Sequence, residues 1–284
     1  MKFVFVGNRK FVLDEMLKRK LSVADIFVVK DTHLERDLAS SNFSHTLISS
    51  KQQLLERLND IDFDVLISNG CPYIFPITKM KKKKYVNIHP SFLPDLKGVD
   101  PVIGAVLFNR DAGATCHVMD DTIDGGDIIS QVKIPYSSDL DVSLLYQLSF
   151  LAEKEVFVKA LERNFVSANK QRKNEDSIYY SRKPEDRVIT FQESSEEMIN
   201  KVKAFNNKSQ GCLFKYKNET FKVYNIDVLH NEYLKEYASK FSDFEIILCY
   251  EDSIVFKKDG QLIRLYNVIG QLSRLKISSF INKG

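Results

Sequence analysis

Short apolar runs alternate with longer amphipathic stretches through the first half of the chain. Residues 3–6 are all Phe or Val and read as a strand buried on both faces, being too short and too uniformly apolar for a surface helix. Residues 11–20 follow with apolar positions at helical spacing, residues 25–29 read as a second strand, and residues 54–58 sit in a helix. Residues 64–68 make a third strand closing at Asn69-Gly70, and residues 86–89 a fourth. Strands alternating with helices predict an α/β fold on a mostly parallel sheet covered on both faces. Ligands of such sheets bind beyond the carboxyl ends of the strands. Asn69-Gly70 and Asn87-Ile88-His89 both fall there.

After Tyr136 a long helical pattern covers residues 142–165, with apolar residues at Leu144, Leu145, Leu148, Leu151, Val156 and Leu161. Its aromatics, Tyr146, Phe150 and Phe157, read as core. The pattern breaks near Ser167, and the polar residues 169–176 read as a linker. A short helix is expected over 195–205, where Ser194-Ser195-Glu196-Glu197 suits a helix start. Strand-like runs follow at 212–216, 221–228, 244–250, 253–256 and 261–268, with Lys258-Asp259-Gly260 as a hairpin turn. The C-terminal part therefore reads as a smaller, mostly β module.

At 284 residues the chain exceeds one average domain, consistent with that division. Its net charge of +3 arises from 41 basic and 38 acidic side chains, too balanced for wholesale binding of a phosphate backbone. The lysine run at 81–84 has no aromatic residue interleaved and reads as a solvated loop. Cys71, Cys116, Cys212 and Cys249 lie far apart with no CxxC pair, which argues against a zinc site or disulfide framework and for reduced thiols. The chain enters a strand-like run directly from Met1, without a signal-peptide pattern, and no window has the apolar length of a membrane span. A cytoplasmic protein is expected.

The chemistry-bearing residues concentrate in two blocks. The first is Asn87-Ile88-His89-Pro90-Ser91-Phe92-Leu93-Pro94-Asp95-Leu96-Lys97-Gly98, and the second Asp120-Asp121-Thr122-Ile123-Asp124-Gly125-Gly126-Asp127-Ile128-Ile129. Asn87 and His89 are two apart on a strand and share a face. Pro90 then ends the ladder. The glycines after Asp124 permit a tight turn that carries its carboxylate close to a ligand. An imidazole suits proton transfer near neutrality, and a carboxamide donor suits a developing oxyanion. A carboxylate beside the imidazole orients it and favours its charged form. Such a trio can serve an amine attacking a carbonyl carbon, and neither metal nor covalent nucleophile is required. On residue types alone, a structural histidine and a plain Asp-Gly-Gly turn remain open readings.

Together the two blocks resemble the signature of folate-dependent formyltransferases, the superfamily of methionyl-tRNA formyltransferase, glycinamide ribonucleotide transformylase and the sugar N-formyltransferases. The resemblance implies a Rossmann-like catalytic domain of the formyltransferase fold over residues 1–178 and a smaller β-rich domain over 179–284. It implies Asn87, His89 and Asp124 as the catalytic triad, 10-formyltetrahydrofolate as co-substrate, and no metal. Phe92 stands where the family usually has leucine. The stretch Ser68-Asn69-Gly70-Cys71-Pro72-Tyr73-Ile74-Phe75-Pro76 resembles the loop that packs on the pterin. The folate-facing residues implied are Asn69, Gly70, Cys71, Pro72, Tyr73, Ile74, Phe92, Asp121, Ile123 and Asp127. Gly113-Ala114-Thr115-Cys116-His117 resembles the strand leading into the Asp124 loop, which gives His117 a structural role. Tyr180-Ser181-Arg182-Lys183-Pro184-Glu185-Asp186 resembles the junction to the second domain, and the resemblance fades after about Val228.

For the acceptor, the near-balanced charge and the direct run from Val6-Gly7 through Asn8-Arg9-Lys10 differ from what the tRNA enzyme implies. Residues 68–73 and 95–101 most resemble bacterial sugar N-formyltransferases acting on dTDP-linked amino sugars, which serve O-antigen or other surface glycan synthesis. That subclass implies a nucleotide-linked amino sugar as partner, neither nucleic acid nor membrane, and admits a homodimer. Asn8, Arg9, Lys10, Lys97, Arg182 and Lys183 are then placed near a pyrophosphate, with Ser91 also facing substrate and Tyr179 or Tyr180 stacking on the base. Surface or packing roles fit each of these equally well. The competing readings are methionyl-tRNA formyltransferase, a formyltetrahydrofolate hydrolase, and a non-enzymatic nucleotide-sugar binding protein. The sugar position, C-3 or C-4, is open.

Overall fold

A computed structural model describes residues 1–41, 43–171, 175–190 and 192–281. The chain forms two compact units. One comprises Met1–Pro101, Asp111–Pro135 and Tyr146–Tyr180; the other takes in Val102–Arg110, Tyr136–Leu145 and Ser181–Gly284.

The first unit is built on seven strands: β1 (Lys2–Gly7), β2 (Ser22–Val29), β3 (Thr46–Ile48), β4 (Val65–Asn69), β5 (Lys84–His89), β6 (Ala112–Val118) and β7 (Ile128–Ile134). Their order is β3-β2-β1-β4-β5-β6-β7. Strands β1 to β5 are parallel, whereas β6 runs antiparallel to both β5 and β7. The helices in chain order are α1 (Lys10–Lys18), α2 (His33–Ala39), α3 (Lys51–Asp60), α4 (Pro101–Leu107), which from Val102 on belongs to the second unit, and α5 (Val142–Glu162), which belongs to the first from Tyr146 on.

The strand period of two divides the sheet's residues between two cores. Phe3, Phe5, Ile67, Val86, Ile88 and Cys116 pack with Val12, Leu13 and Met16 of α1 and with Val156, Phe157 and Ala160 of α5. Val4, Val6, Phe27, Leu66 and Tyr85 pack with Leu54 and Leu58 of α3. Both faces of β1 and β4 are thus buried, which is why those strands are unbroken apolar runs. Asn87 and His89 share the parity of Tyr85 and emerge where that second face reaches the end of β5.

Several sequence expectations are refined. Helix α1 stops at Lys18, with Lys20 in a left-handed conformation (φ 55°). Helix α2 and strand β3 were not anticipated, because a seven-residue helix and a three-residue strand carry too few periods to stand out. In α5 Phe157 and Val156 are buried, but Leu144 and Leu151 are exposed, and Phe150 is half-buried in a stack on Phe11 with ring centroids 5.4 Å apart. Lys81 and Lys82 are exposed in a loop, while Lys84 opens β5.

The second unit holds α6 (Ser195–Ala204), β8 (Cys212–Tyr216), β9 (Glu219–Leu229), α7 (Glu232–Tyr237), β10 (Ile246–Tyr250), β11 (Ser253–Lys258) and β12 (Gln261–Ile269). Its antiparallel sheet has the order β10-β11-β12-β9-β8. Helix α6 begins with a capping box between Ser194 and Glu197. The β11–β12 hairpin closes through Asp259 (φ 50°) and Gly260 (φ 74°), the two left-handed residues of a type I′ turn. Stacked pairs Phe214–Phe221 and Phe244–Phe256 fill this unit's core. Of the expected linker at 169–176, residues 172–174 lie outside the described residues. No helix among the described residues is long and apolar enough to cross a membrane.

Candidate active site

Strands β1 and β4 are neighbours, with Gly7 paired to Asn69, and the chain leaves their carboxyl ends in different directions. This is the switch point at which open α/β sheets leave a crevice. A cavity of about 370 Å³ opens there. Asn8 and Arg9 line it after β1, Ser68 within β4 and residues 70–75 with Ile77 after it, and residues 87–90 at the end of β5. Gly98, Val99, Pro101, His117, Met119, Asp120, residues 122–124 and Tyr179 complete the wall. Ile74, Val99, Ile123 and Tyr179 are largely exposed, so the cavity has an apolar rim above a polar floor.

On that floor Asn87, His89 and Asp124 converge. Asp124 Oδ1 lies 3.5 Å from His89 Nδ1 and accepts from Asn87 Nδ2 at 3.4 Å. Its other oxygen, Oδ2, accepts the Gly98 main-chain N–H at 3.1 Å. His89 Nε2 faces the carbonyl of Leu96 at 3.0 Å. A carbonyl only accepts, so Nε2 carries the hydrogen and Nδ1 of the neutral ring holds the lone pair. Burial lowers the pKa of His89 below its usual 6.5, against the opposing pull of Asp124 and the Leu96 carbonyl. Burial by itself would raise the pKa of Asp124, but His89, His117 and the Gly98 N–H outweigh it and hold the carboxyl at about 2. Near neutrality the site therefore pairs a neutral imidazole with a carboxylate.

His117 also belongs to this floor. It sits directly opposite Asn87 in the β5–β6 ladder, with Nε2 3.3 Å from Asn87 Nδ2 and 3.7 Å from Asp124 Oδ1. Its Nδ1 donates to the Val118 carbonyl at 2.9 Å, which leaves Nε2 to accept from Asn87. The role expected for it was structural; the geometry makes it a direct neighbour of the trio.

The loop bearing Asp124 is shaped differently from expectation. Asp124 itself adopts the left-handed conformation (φ 49°), whereas Gly125 and Gly126 do not. Gly126 is required by crowding, since a Cβ there would lie 1.9 Å from the Val118 carbonyl oxygen. Gly70 (φ 73°) and Gly98 (φ 103°) are left-handed, and a side chain at Gly70 would strike Asn8 Oδ1 at 2.1 Å. Main-chain hydrogen bonds join Lys97 to Ile178 and Tyr180, and this pairing seats Tyr179 at the cavity beside Gly98.

Of the expected folate-facing residues, Gly70, Cys71, Pro72, Tyr73, Ile74 and Ile123 line the cavity. Asn69, Phe92, Asp121 and Asp127 do not. The Asn69 amide is buried and donates to the Ile88 carbonyl, tying β4 to β5. Phe92 lies under the Lys133 ammonium. Asp121 accepts from the Thr78 main chain, and Asp127 offers its carbonyl to Val118. Among the expected substrate residues, Asn8, Arg9 and Tyr179 reach the cavity. Arg9 is already paired with the wholly buried Glu153 and lies over the Phe150 ring, which leaves less charge for a phosphate. Burial pushes its pKa down to about 10, still well above neutrality. Lys10 is exposed near Asp37, Ser91 is buried and donates to the Asp95 carbonyl, and Lys97 contributes its main chain to the Tyr179 segment. Arg182 and Lys183 belong to the second unit. Tyr180 is buried.

Residues 12–161 match the family described as Formyl transferase, and residues 182–283 match Formyl transferase, C-terminal domain. The chain is 25% identical over 234 residues to a methionyl-tRNA formyltransferase of Finegoldia magna, spanning 81% of this chain and 73% of that protein. It is 26% identical over 258 residues to the Orientia tsutsugamushi protein of the same name, spanning 82% of each. Among solved structures it superposes on WlaRD, a sugar 3N-formyl transferase crystallised in the presence of dTDP and 5-N-formyl-THF. The TM-score is 0.71 at 21% identity, over 94% of this chain and 97% of that one. The Helicobacter canadensis N-formyltransferase in complex with folinic acid and dTDP-3-aminofucose gives the same TM-score of 0.71 and 21% identity, over 94% and 99%. At such identities the likeness to the solved structures shows the fold.

Proposed function

Because the chain belongs to the formyl transferase family, we propose that it moves a formyl group from 10-formyltetrahydrofolate to a nucleotide-linked amino sugar. That it is a formyltransferase follows from the family. The donor, the acceptor and the roles of individual residues are our reading. One observation carries it: an imidazole, a carboxamide and a carboxylate meet on the floor of a cavity with an apolar rim. A flat heteroaromatic fits walls made by Ile74, Val99, Ile123 and Tyr179, and the polar floor lies where a reacting carbonyl would be held.

10-Formyltetrahydrofolate, when bound, supplies the formyl carbon as an electrophile. His89 takes the proton of the attacking amine on Nδ1, because its Nε2–H is committed to the Leu96 carbonyl. Asp124, ionised at neutral pH, stabilises the imidazolium that results, which returns the proton to N10 of the folate as the N10–formyl bond breaks and tetrahydrofolate leaves. Asn87 turns its amide N–H toward the formyl oxygen as that oxygen gains charge. Its present bonds to His117 and Asp124, at 3.3 and 3.4 Å, are long and easily exchanged for a shorter one. We assign this chemistry to the catalytic domain expected over residues 1–178, with Tyr179 completing its wall, and treat the rest of 179–284 as the accessory β-rich domain.

For the acceptor, the reading draws on the likeness to sugar N-formyltransferases over nearly the whole length of both chains and on the chain's near-balanced charge. A second reading, methionyl-tRNA formyltransferase, is favoured by the names of the sequence relatives. Incubation with 10-formyltetrahydrofolate and either dTDP-3-aminofucose or methionyl-tRNA separates the two. We expect mass spectrometry to find one added formyl group on the sugar nucleotide and none on the tRNA. Formylation of the tRNA alone would reverse the assignment, and formate release without any acceptor would make the chain a hydrolase.

A further inference from the structure

The Asp124 loop is held from a part of the chain that contributes nothing to the cavity wall. After α5 the chain folds back along Ile128, whose N–H bonds to the Asn169 carbonyl at 2.8 Å while its carbonyl accepts from Ala168 and Asn169. This pairing brings Gln171 against the loop. Gln171 Nε2 donates to the main-chain oxygen of Asp124 at 3.0 Å and to that of Gly126 at 2.7 Å. One amide nitrogen thus spans the left-handed turn at Asp124 (φ 49°). Gln171 Oε1 is buried with no hydrogen-bond partner among the described residues, and towards the loop the side chain serves only as a donor.

We propose that Gln171 is a positioning residue for formyl transfer: its amide nitrogen clamps the oxygens of Asp124 and Gly126 and so aims the Asp124 carboxylate at His89 and Asn87. The inference rests on the reading of Asp124 as a catalytic group. Gln171 acts through that group, touching neither donor nor acceptor. An aspartate in the left-handed region is strained unless its surroundings hold it. The opposing contacts on its carboxylate, from the Gly98 N–H and from Asn87, fix one end of the residue, and Gln171 fixes the other.

The donor-only geometry gives a sharp test. Lysine offers donors and no acceptor, whereas glutamate has the shape of glutamine and offers only acceptors when ionised. Gln171→Glu sets a carboxylate against two carbonyl oxygens and Gln171→Ala leaves them unmet, while Gln171→Lys restores a donor. Steady-state kinetics use 10-formyltetrahydrofolate with whichever of dTDP-3-aminofucose and methionyl-tRNA the wild-type chain formylates. Misplacing a reacting group by an ångström costs about a hundredfold. We expect kcat to fall roughly tenfold to a hundredfold in the Glu and Ala variants, with KM for both substrates within about threefold of wild type. The Lys variant recovers most of the loss.

A purely structural role would instead lower the melting temperature of all three variants in step with activity, and that result overturns the proposal. So does a Lys variant as poor as the Glu variant, or wild-type kcat in Gln171→Glu. Asp124→Asn is measured beside them. If it turns over normally, the reading of Asp124 fails and this inference with it. If Asp124→Asn is inactive and Gln171→Glu is not, only the inference about Gln171 fails.

Discussion

On the floor of the cavity two titratable residues share one small space and end in different charge states. Burial drives His89 toward its neutral form and would drive Asp124 the same way, yet His89, His117 and the Gly98 N–H around Asp124 keep it charged. The groups facing His89 are Asp124 from the loop, His117 from β6, the Leu96 carbonyl, and more remotely Arg9. A base with a lowered pKa stays competent in mild acid. The acid limb of the pH dependence of kcat/KM is therefore expected below the ordinary histidine value of 6.5; a midpoint above 6.5 would contradict it. Stability follows the same signs. Both folded pKa values lie below their unfolded ones, so the unfolded chain binds more protons and stability falls as pH falls. The His89 contribution declines below 6.5, and that of Asp124 between 3.8 and about 2. Denaturant titrations of Asp124→Asn should lack the second decline; an unchanged profile would show that Asp124 is not held ionised. At this scale the sequence was informative where chemistry and period coincide, as at Asn87 and His89. It was silent on Gln171, whose partners are 47 and 45 residues away and whose polar neighbours looked like linker.

Elements were legible in proportion to how far burial dictates their sequence. Strands β1, β4 and β5 sit inside the sheet and read as apolar runs, and the hairpin at Asp259-Gly260 was marked by the residues its turn demands. Strand β3 is an edge of three residues, and β6 opens with Ala112-Gly113-Ala114, residues too small to signal a strand by pattern, so that it was expected only through the family resemblance of residues 113–117. The antiparallel β6–β7 pair matters to the site, because it places His117 opposite Asn87 and returns the chain through the Asp124 loop. Two glycines separate crowding from conformation. At Gly126 an added methyl meets the Val118 carbonyl at 1.9 Å, so Gly126→Ala must displace the loop, lowering the melting temperature and turnover together. Gly260 has nothing within 4 Å but a φ of 74°. Gly260→Ala is therefore expected to cost only about 1 kcal/mol and to leave turnover alone. Calorimetry with a paired activity assay checks both. A Gly126→Ala variant melting and working like wild type would show that the loop is not packed as described.

Across the whole molecule, the division of labour follows from how the chain is arranged. The first unit contributes every residue of the cavity wall, and the second is an antiparallel sheet with its own aromatic core. Balanced charge supports our proposal of a small acceptor, although charge composition says little about fold. The convergence of Asn87, His89 and Asp124 was readable from two short blocks because the chemistry we propose needs few groups, each of a fixed type. The acceptor was not, because the loop residues expected to meet it tolerate other roles: Arg9 pairs with Glu153, and Lys97 contributes its main chain to the Tyr179 segment. The account therefore stands on Asn87 and His89. Single-turnover formyl transfer from 10-formyltetrahydrofolate, followed by mass spectrometry of the acceptor, tests it most directly in wild type, Asn87→Ala and His89→Ala. The account predicts a loss of about a hundredfold or more in each variant, with melting temperatures close to wild type. Near-wild-type transfer in either folded variant would contradict it.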